Sequence, residues 1–265
     1  MAIVAVQNKN FTTFTSGTAF NLTSNVGSGN TVVLMIHASV AASVTSVTGL
    51  GGTWYQAGGY QSGSVGCWIW YCVGATGGST AITVTLASGS GGNNAWAAEF
   101  SGVGSFVSGV SNHGTATNTT IAVTPTASGQ LVIVAAGSIY PIATKSTPWT
   151  DIGATASGFD FAYQLSPNTT TITATWTGYS GDAWNSAAGL FAPSAGGFTV
   201  TFNNNGGTGS LTAETNSSAT ALSLFSTGTM AYAGYTFAHW NTAPDNSGTS
   251  YADGASYPFT ASVTL

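Results

Sequence analysis

Arginine is absent from this chain, and lysine occurs only twice, at Lys9 and Lys145. The remaining charges are Glu99, Asp151, Asp160, Asp182, Glu214, Asp245 and Asp253, so charged residues make up 3% of the sequence, where roughly 25% is usual. The net charge is −5. Phosphate backbones are held by clustered Lys and Arg, and two lysines cannot supply that footprint. Nucleic acid is therefore excluded as a partner, and so is a polybasic grip on an anionic membrane surface.

Long apolar runs are also missing. Ser, Thr, Asn and Gly interrupt every stretch before it reaches the length of a membrane span, so no membrane insertion is expected. The opening Met1-Ala-Ile-Val-Ala-Val-Gln-Asn-Lys-Asn10 has no basic region ahead of its short apolar run, so no Sec-type export is expected. Cysteine is scarce as well. Cys67 and Cys72 lie in Gly66-Cys-Trp-Ile-Trp-Tyr-Cys-Val73, and on a strand their odd separation turns them to opposite faces, so they read as two buried free thiols that cannot bridge each other.

What the sequence does hold, in 265 residues with 43% hydrophobic content, is strand after strand. Thr31-Val-Val-Leu-Met-Ile-His37, Ala81-Ile-Thr-Val-Thr-Leu86 and Leu131-Val-Ile-Val-Ala135 are rich in β-branched residues and bounded by Gly, Ser and Asn. Such side chains lose rotamer freedom in helices and pack well on pleated surfaces. Helical periodicity is hard to find. With 36 glycines as turn punctuation, the fold class is all-β, with tandem β-sandwich or jelly-roll-like units.

The chain repeats itself. Ser28-Gly-Asn-Thr-Val-Val-Leu-Met-Ile36, Gly52-Thr-Trp-Tyr55, Cys67-Trp-Ile-Trp-Tyr71, Ala81-Ile-Thr-Val-Thr85 and Asn94-Ala-Trp-Ala97 recur in order. Their counterparts are Ser128-Gly-Gln-Leu-Val-Ile-Val134, Thr147-Pro-Trp-Thr150, Phe159-Asp-Phe-Ala-Tyr163, Thr171-Ile-Thr-Ala-Thr175 and Asp182-Ala-Trp-Asn185. The expected organisation is one β-sandwich unit over 1–104, a second over 105–192, a small-residue linker over 193–197 and a separate module over 198–265. The two copies read equally as separate sandwiches or as halves of a larger one.

The last segment carries three blocks: Phe198-Thr-Val-Thr-Phe-Asn-Asn-Asn-Gly-Gly207, Gly234-Tyr-Thr-Phe-Ala-His-Trp-Asn241, and Gly248-Thr-Ser-Tyr-Ala-Asp-Gly254 running on to Val263-Thr-Leu265. It resembles the Listeria–Bacteroides repeat, also called the internalin B-repeat. That is a small β-grasp-like module found in bacterial surface proteins and some phage proteins. His239 stands where that family has glycine, and the sequence stops at Leu265, ahead of the family's Tyr-Ala-x-Trp finish. A short last strand, or one completed by a neighbour, is expected. By their size Tyr235, Phe237 and Trp240 are expected to form the module's core. The block Ala95-Trp-Ala-Ala-Glu-Phe-Ser-Gly-Val103 resembles β-sandwich regions of phage virion proteins and large bacterial surface proteins.

No motif for catalysis emerges. The nearest approach to a nucleophile elbow, Gly178-Tyr-Ser-Gly-Asp182, lacks the closing glycine. His37, His113 and His239 lie far apart without Cys or Glu at ligand spacing, so neither a metal nor a cofactor is expected. His37 is expected to cap or edge a strand. Asp160 and Asp182 are the one conceivable glycosidase pair, although both read as solvated turn acids. Asp245-Asn-Ser-Gly248 and Asp253-Gly254 read as Asx turns, and most of the eight tryptophans as core.

Modules typical of cell surfaces, combined with an opening that resembles no export signal, imply a non-enzymatic structural or adhesive protein on the exterior of a bacteriophage virion: a capsid decoration protein, head fibre or tail-associated protein. Its partners would be other capsid or tail proteins and further copies of itself. A host-surface glycan or protein would be met through the C-terminal module. A bacterial cell-surface adhesin or carbohydrate-binding protein is the alternative.

Overall fold

The computed structural model describes residues 2–11, 13–38, 43–63, 65–87, 93–115, 117–138, 140–142, 144–152, 158–177, 183–194, 197–216, 221–258 and 262–265. The chain divides into two compact units, Ala2–Ser194 and Ala195–Leu265. None of the described residues is helical.

The first copy of the repeat supplies β1 (Val4–Phe11), β2 (Ala19–Asn21), β3 (Thr31–Ala38), β4 (Val44–Gly49), β5 (Tyr55–Ser62), β6 (Val65–Cys72), β7 (Ala81–Leu86) and β8 (Asn94–Ser101). The second supplies β9 (Val103–Gly114), β10 (Thr119–Val123), β11 (Leu131–Ser138), β12 (Thr144–Lys145), β13 (Thr150–Asp151), β14 (Phe159–Leu165), β15 (Ile172–Thr177) and β16 (Trp184–Pro193). Sheet order is duplicated strand for strand. A five-stranded sheet β1-β8-β3-β6-β5 and a three-stranded sheet β2-β7-β4 in the first copy correspond to β9-β16-β11-β14-β13 and β10-β15-β12 in the second. Pairing first with eighth, second with seventh and third with sixth is what results when a long hairpin is wound round a core, which is jelly-roll topology.

Three cores show how the layers stack. Leu34, Ile36, Trp54, Trp68, Ile82 and Val84 fill the first sandwich, and Val132, Val134, Ala174, Trp176 and Leu190 fill the second. The third core lies between the two larger sheets and interleaves Met35, Ile69, Trp96 and Phe100 with Ile133, Phe161 and Phe191. Each copy is therefore a sandwich, and the two are fused through a shared core. Both faces of the central strands are covered as a result, and every residue of β3 and β11 is buried. Full burial of one such aliphatic or aromatic side chain contributes about 1.5–3 kcal/mol. The outer β7 alternates buried with half-buried residues, as a strand wet on one side must.

The fusion is close. A Cβ on Gly109 would collide with the Ala57 carbonyl, so only glycine lets β9 run against β5. Ser111 Oγ accepts a hydrogen bond from Gly59 N at 2.8 Å, and the rings of Tyr60 and His113 stack with centroids 3.8 Å apart. Asn185 Nδ2 donates to the Val65 carbonyl at 2.7 Å within the buried interior. His37, expected at a strand cap or edge, is instead inside the central strand β3 and 3% exposed. Its ring lies against Phe159, and its Cδ2 stands 2.8 Å from where a Cβ on Gly137 would be.

In Ala195–Leu265, β17 (Phe198–Thr201) lies between β18 (Glu214–Asn216), to which it is antiparallel, and β23 (Val263–Thr264), to which it is parallel. Two short ladders pair β19 (Leu222–Ser223) with β22 (Ser256–Tyr257) and β20 (Trp240–Asn241) with β21 (Ser250–Tyr251). The likeness to a β-grasp is confined to that mixed sheet. Asn205 at φ 46° and Gly206 at φ 90° turn the chain after β17, and Val200, Phe202, Leu224, Trp240, Tyr257 and Leu265 form the core.

Candidate functional site

The C-terminal unit carries an open groove of about 700 Å³. Its walls are aromatic and amide side chains, with no Asp, Glu, Lys or Arg among the residues that line it. The expectation that Tyr235, Phe237 and Trp240 together form the core fails for the first two. Tyr235 is 74% and Phe237 45% exposed, while Trp240 is 4% exposed. The cause is local: the second block of the repeat, residues 234–239, forms no strand and follows a turn at Gly234 (φ 84°), so nothing covers it.

The groove is built on a fixed floor. Trp240 packs on Phe202 (centroids 4.7 Å apart) and supports the half-exposed Phe237 edge-to-face at 4.8 Å. Tyr232 meets Tyr235 in the same way at 4.9 Å. One polar wall is ordered by Asn241, whose Oδ1 accepts from the Ala243 and Gly248 amides and whose Nδ2 donates to Asn246 Oδ1 and Ser250 Oγ. Asn246 Oδ1 also meets His239 Nε2 at 2.6 Å, so the histidine is oriented by a neighbour. On the far side, Asn205 Nδ2 donates to the Pro244 carbonyl. Trp240 is among the residues lining the groove, and its indole N–H is buried without a hydrogen-bond partner. Flat aromatic faces beside oriented amides suit a neutral, polyhydroxylated or amide-bearing ligand.

The other candidates fall elsewhere. Among the described residues no three of His, Cys, Asp and Glu converge as a metal site would require. Asp245 Oδ1 accepts from Ser247 N and Oγ in an Asx turn, and these bonds hold its carboxyl below the ordinary range. Asp253 Oδ1 accepts from the Thr227 amide. Asp182 and the Gly178–Asp182 segment lie outside the described residues. Its proposed partner Asp160 is not a solvated turn acid but a strand residue of β14, 1% exposed. A second buried carboxylate, Glu99, is fully occupied. It accepts from Gly27 N at 2.8 Å, from Asn30 Nδ2 at 2.6 Å and from Gln7 Nε2 at 2.6 Å, tying the end of the first sandwich together.

Sequence reasoning missed the convergence of Lys145, Asp151 and Asp160, a residue trio drawn from three strands. The available signal was the rarity of charge: a chain with two lysines that places one in a strand-rich segment near two aspartates has a reason to keep it. The groove was also missed, because exposed and buried aromatics look alike in a short irregular module.

Residues 198–265 match the Listeria-Bacteroides repeat domain family, about a quarter of the chain. The C-terminal unit is similar to repeats of that type. Such repeats are typical of extracellular surface proteins, and no helix among the described residues is long and apolar enough to cross a membrane. No curated protein and no solved structure matches the chain.

Proposed function

We propose that this is a non-enzymatic structural and adhesive protein of a bacteriophage virion, held to the particle by its double jelly roll and making contact through its C-terminal unit. The observation that carries the reading is the exposed aromatic groove, borne on a repeat of surface-protein type and compact apart from residues 2–194. A charge-poor exterior supports it too. A surface wet by Ser, Thr and Asn packs against neighbouring subunits through apolar contact and backbone pairing, without drawing ionic partners.

Attachment is the test. A chain ending at Ser194 binds particles stripped of the protein as the full chain does, and residues 197–265 alone do not. Reversed binding would reverse the assignment. If neither fragment associates with any virion, the second reading becomes the better one: a bacterial cell-surface adhesin or carbohydrate-binding protein. That reading is favoured by the exposed Tyr232, Tyr235 and Phe237 beside the ordered Asn241 and Asn246 amides.

A further inference from the structure

The second sandwich buries charge where the first buries an aromatic ring. By register, Ile36 faces Trp68 in the first copy, and the matching Ala136 faces Asp160 in the second. The Asp160 side chain is fully buried, as Lys145 is nearly so at 6%, while that of Asp151 is 58% exposed. Lys145 Nζ contacts Asp151 Oδ1 and lies 3.0 Å from Asp160 Oδ2, which also accepts the Trp176 indole N–H at 2.6 Å. The other oxygen, Asp160 Oδ1, is buried without a hydrogen-bond partner. Taking such charges out of water is expensive, and an apolar replacement of similar size is often as stable or more so. The first copy has that replacement, so packing does not account for the trio.

We propose that Lys145 and Asp151 become joined by a side-chain amide, with Asp160 as the proton carrier. The amine and the carboxyl it would attack are held in contact, which removes the entropic cost of bringing them together. Nζ first gives one proton to Asp160, which hands it to an Asp151 oxygen. The freed nitrogen lone pair attacks Asp151 Cγ and forms the C–N bond. Asp160 then takes a second proton from nitrogen and returns it to the same oxygen, and the C–O bond breaks to release water. Ammonium and carboxylate become amide and water, Asp160 ends as it began, and nothing is oxidised or reduced. Water leaves through the exposed side of Asp151, while the buried Lys145 and Asp160 keep solvent from the nitrogen. The event happens once per molecule, so it does not make the protein an enzyme. Its product is a neutral link between β12 of the three-stranded sheet and β13 of the five-stranded one, binding the two layers of the second sandwich covalently.

The composition of the chain supplies the assay. With no arginine and two lysines, trypsin has two sites, after Lys9 and after Lys145. The full-length protein, folded and then denatured, is expected to be lighter than its sequence by one water and to resist cleavage after Lys145 while being cut after Lys9. Asp151→Ala restores both the sequence mass and the second cut. Asp160→Ala, which removes the proton carrier, leaves most molecules unlinked. Full sequence mass with cleavage after Lys145 in the unmutated protein would overturn the proposal. So would a water loss that persists in Asp151→Ala, or a water loss that leaves Lys145 cleavable, as dehydration at Asp253-Gly254 would. Because the unmutated protein gives the primary readout, the result stands even if a variant fails to fold.

Discussion

Cys67 and Cys72, on the same strand β6, belong to different cores: Cys67 to the one shared between the copies, Cys72 to the one inside the first sandwich. Burial pushes both thiols up from their ordinary range, Cys67 the further of the two. The thiolate is the reactive form, and neither side chain supplies it near neutral pH. Native protein is expected to react negligibly with a thiol reagent at pH 7.5, and denatured protein to release two free thiols per chain. Rapid modification of the folded protein would contradict the packing described for β6.

Gly137 leaves the space that the His37 ring fills. A methyl group there would meet His37 Cδ2 at 2.8 Å and the Cys67 Cβ at 3.2 Å. Gly137→Ala is expected to destabilise the protein by about 1–3 kcal/mol through overpacking, read as a lower urea midpoint for the Ala2–Ser194 unit. Gly63, where an added Cβ meets nothing, has a positive φ and is no neutral control. The pairing of Gly137→Ala with His37→Ala, which reopens the space, tests the contact instead: the double variant loses less than the sum of the two.

Acid acts on the same residue. Burial lowers the His37 imidazole from 6.5 to about 4, and the Ser138 backbone opposes this only in part. Because the unfolded chain takes up the proton more readily than the folded one, stability contributed by neutral His37 is present in full above pH 6.5. It is lost progressively as pH falls toward 4, and falls no further below that. The total corresponds to about 3 kcal/mol. Urea midpoints measured between pH 7.5 and 4 show this slope, and His37→Leu is expected to flatten it. An unchanged slope in the variant would assign the acid sensitivity to the carboxylates.

In the groove, exposure and burial separate binding from stability. Tyr235→Ala is expected to leave the melting transition of the C-terminal unit within about 0.5 kcal/mol, as surface substitutions do, while abolishing retention on a neutral glycan matrix. Trp240→Ala removes the floor and costs about 3–5 kcal/mol. If both variants bind as the unmutated protein does, the groove is not the contact surface.

The all-β class was legible because Thr, Val and Ile with glycine punctuation leave little else available, and the C-terminal repeat because its three blocks are distinctive. The fusion of the sandwiches was harder to read. Thr31–Ala38 runs apolar without alternation, the pattern of a strand buried on both faces, but nothing in one strand says which sheet covers its second face. His37 was misplaced for that reason, since a histidine ending an apolar run looks like a boundary when its far neighbour, Gly137, is unknown. Asp160 was misread as a turn acid because only the register of β14 against β11 reveals that it occupies the place of Trp68. Tyr235 and Phe237 failed in the opposite sense: size argued for burial, and the absence of a strand around them left them in solvent.

Gly137 and His37 also bear on how such a molecule can arise. Matching strands put these two residues at the same position of their respective copies, so in a symmetric pair of identical sandwiches each would face its own duplicate. Two histidines would compete for one space, and two glycines would leave it empty. A large residue opposite a small one is open only to copies that differ in sequence, as two copies carried on one chain are free to do, each becoming the other's complement. The halves are therefore no longer interchangeable, and a chain assembled from two first copies or two second copies would lose the fit at the centre that this one has.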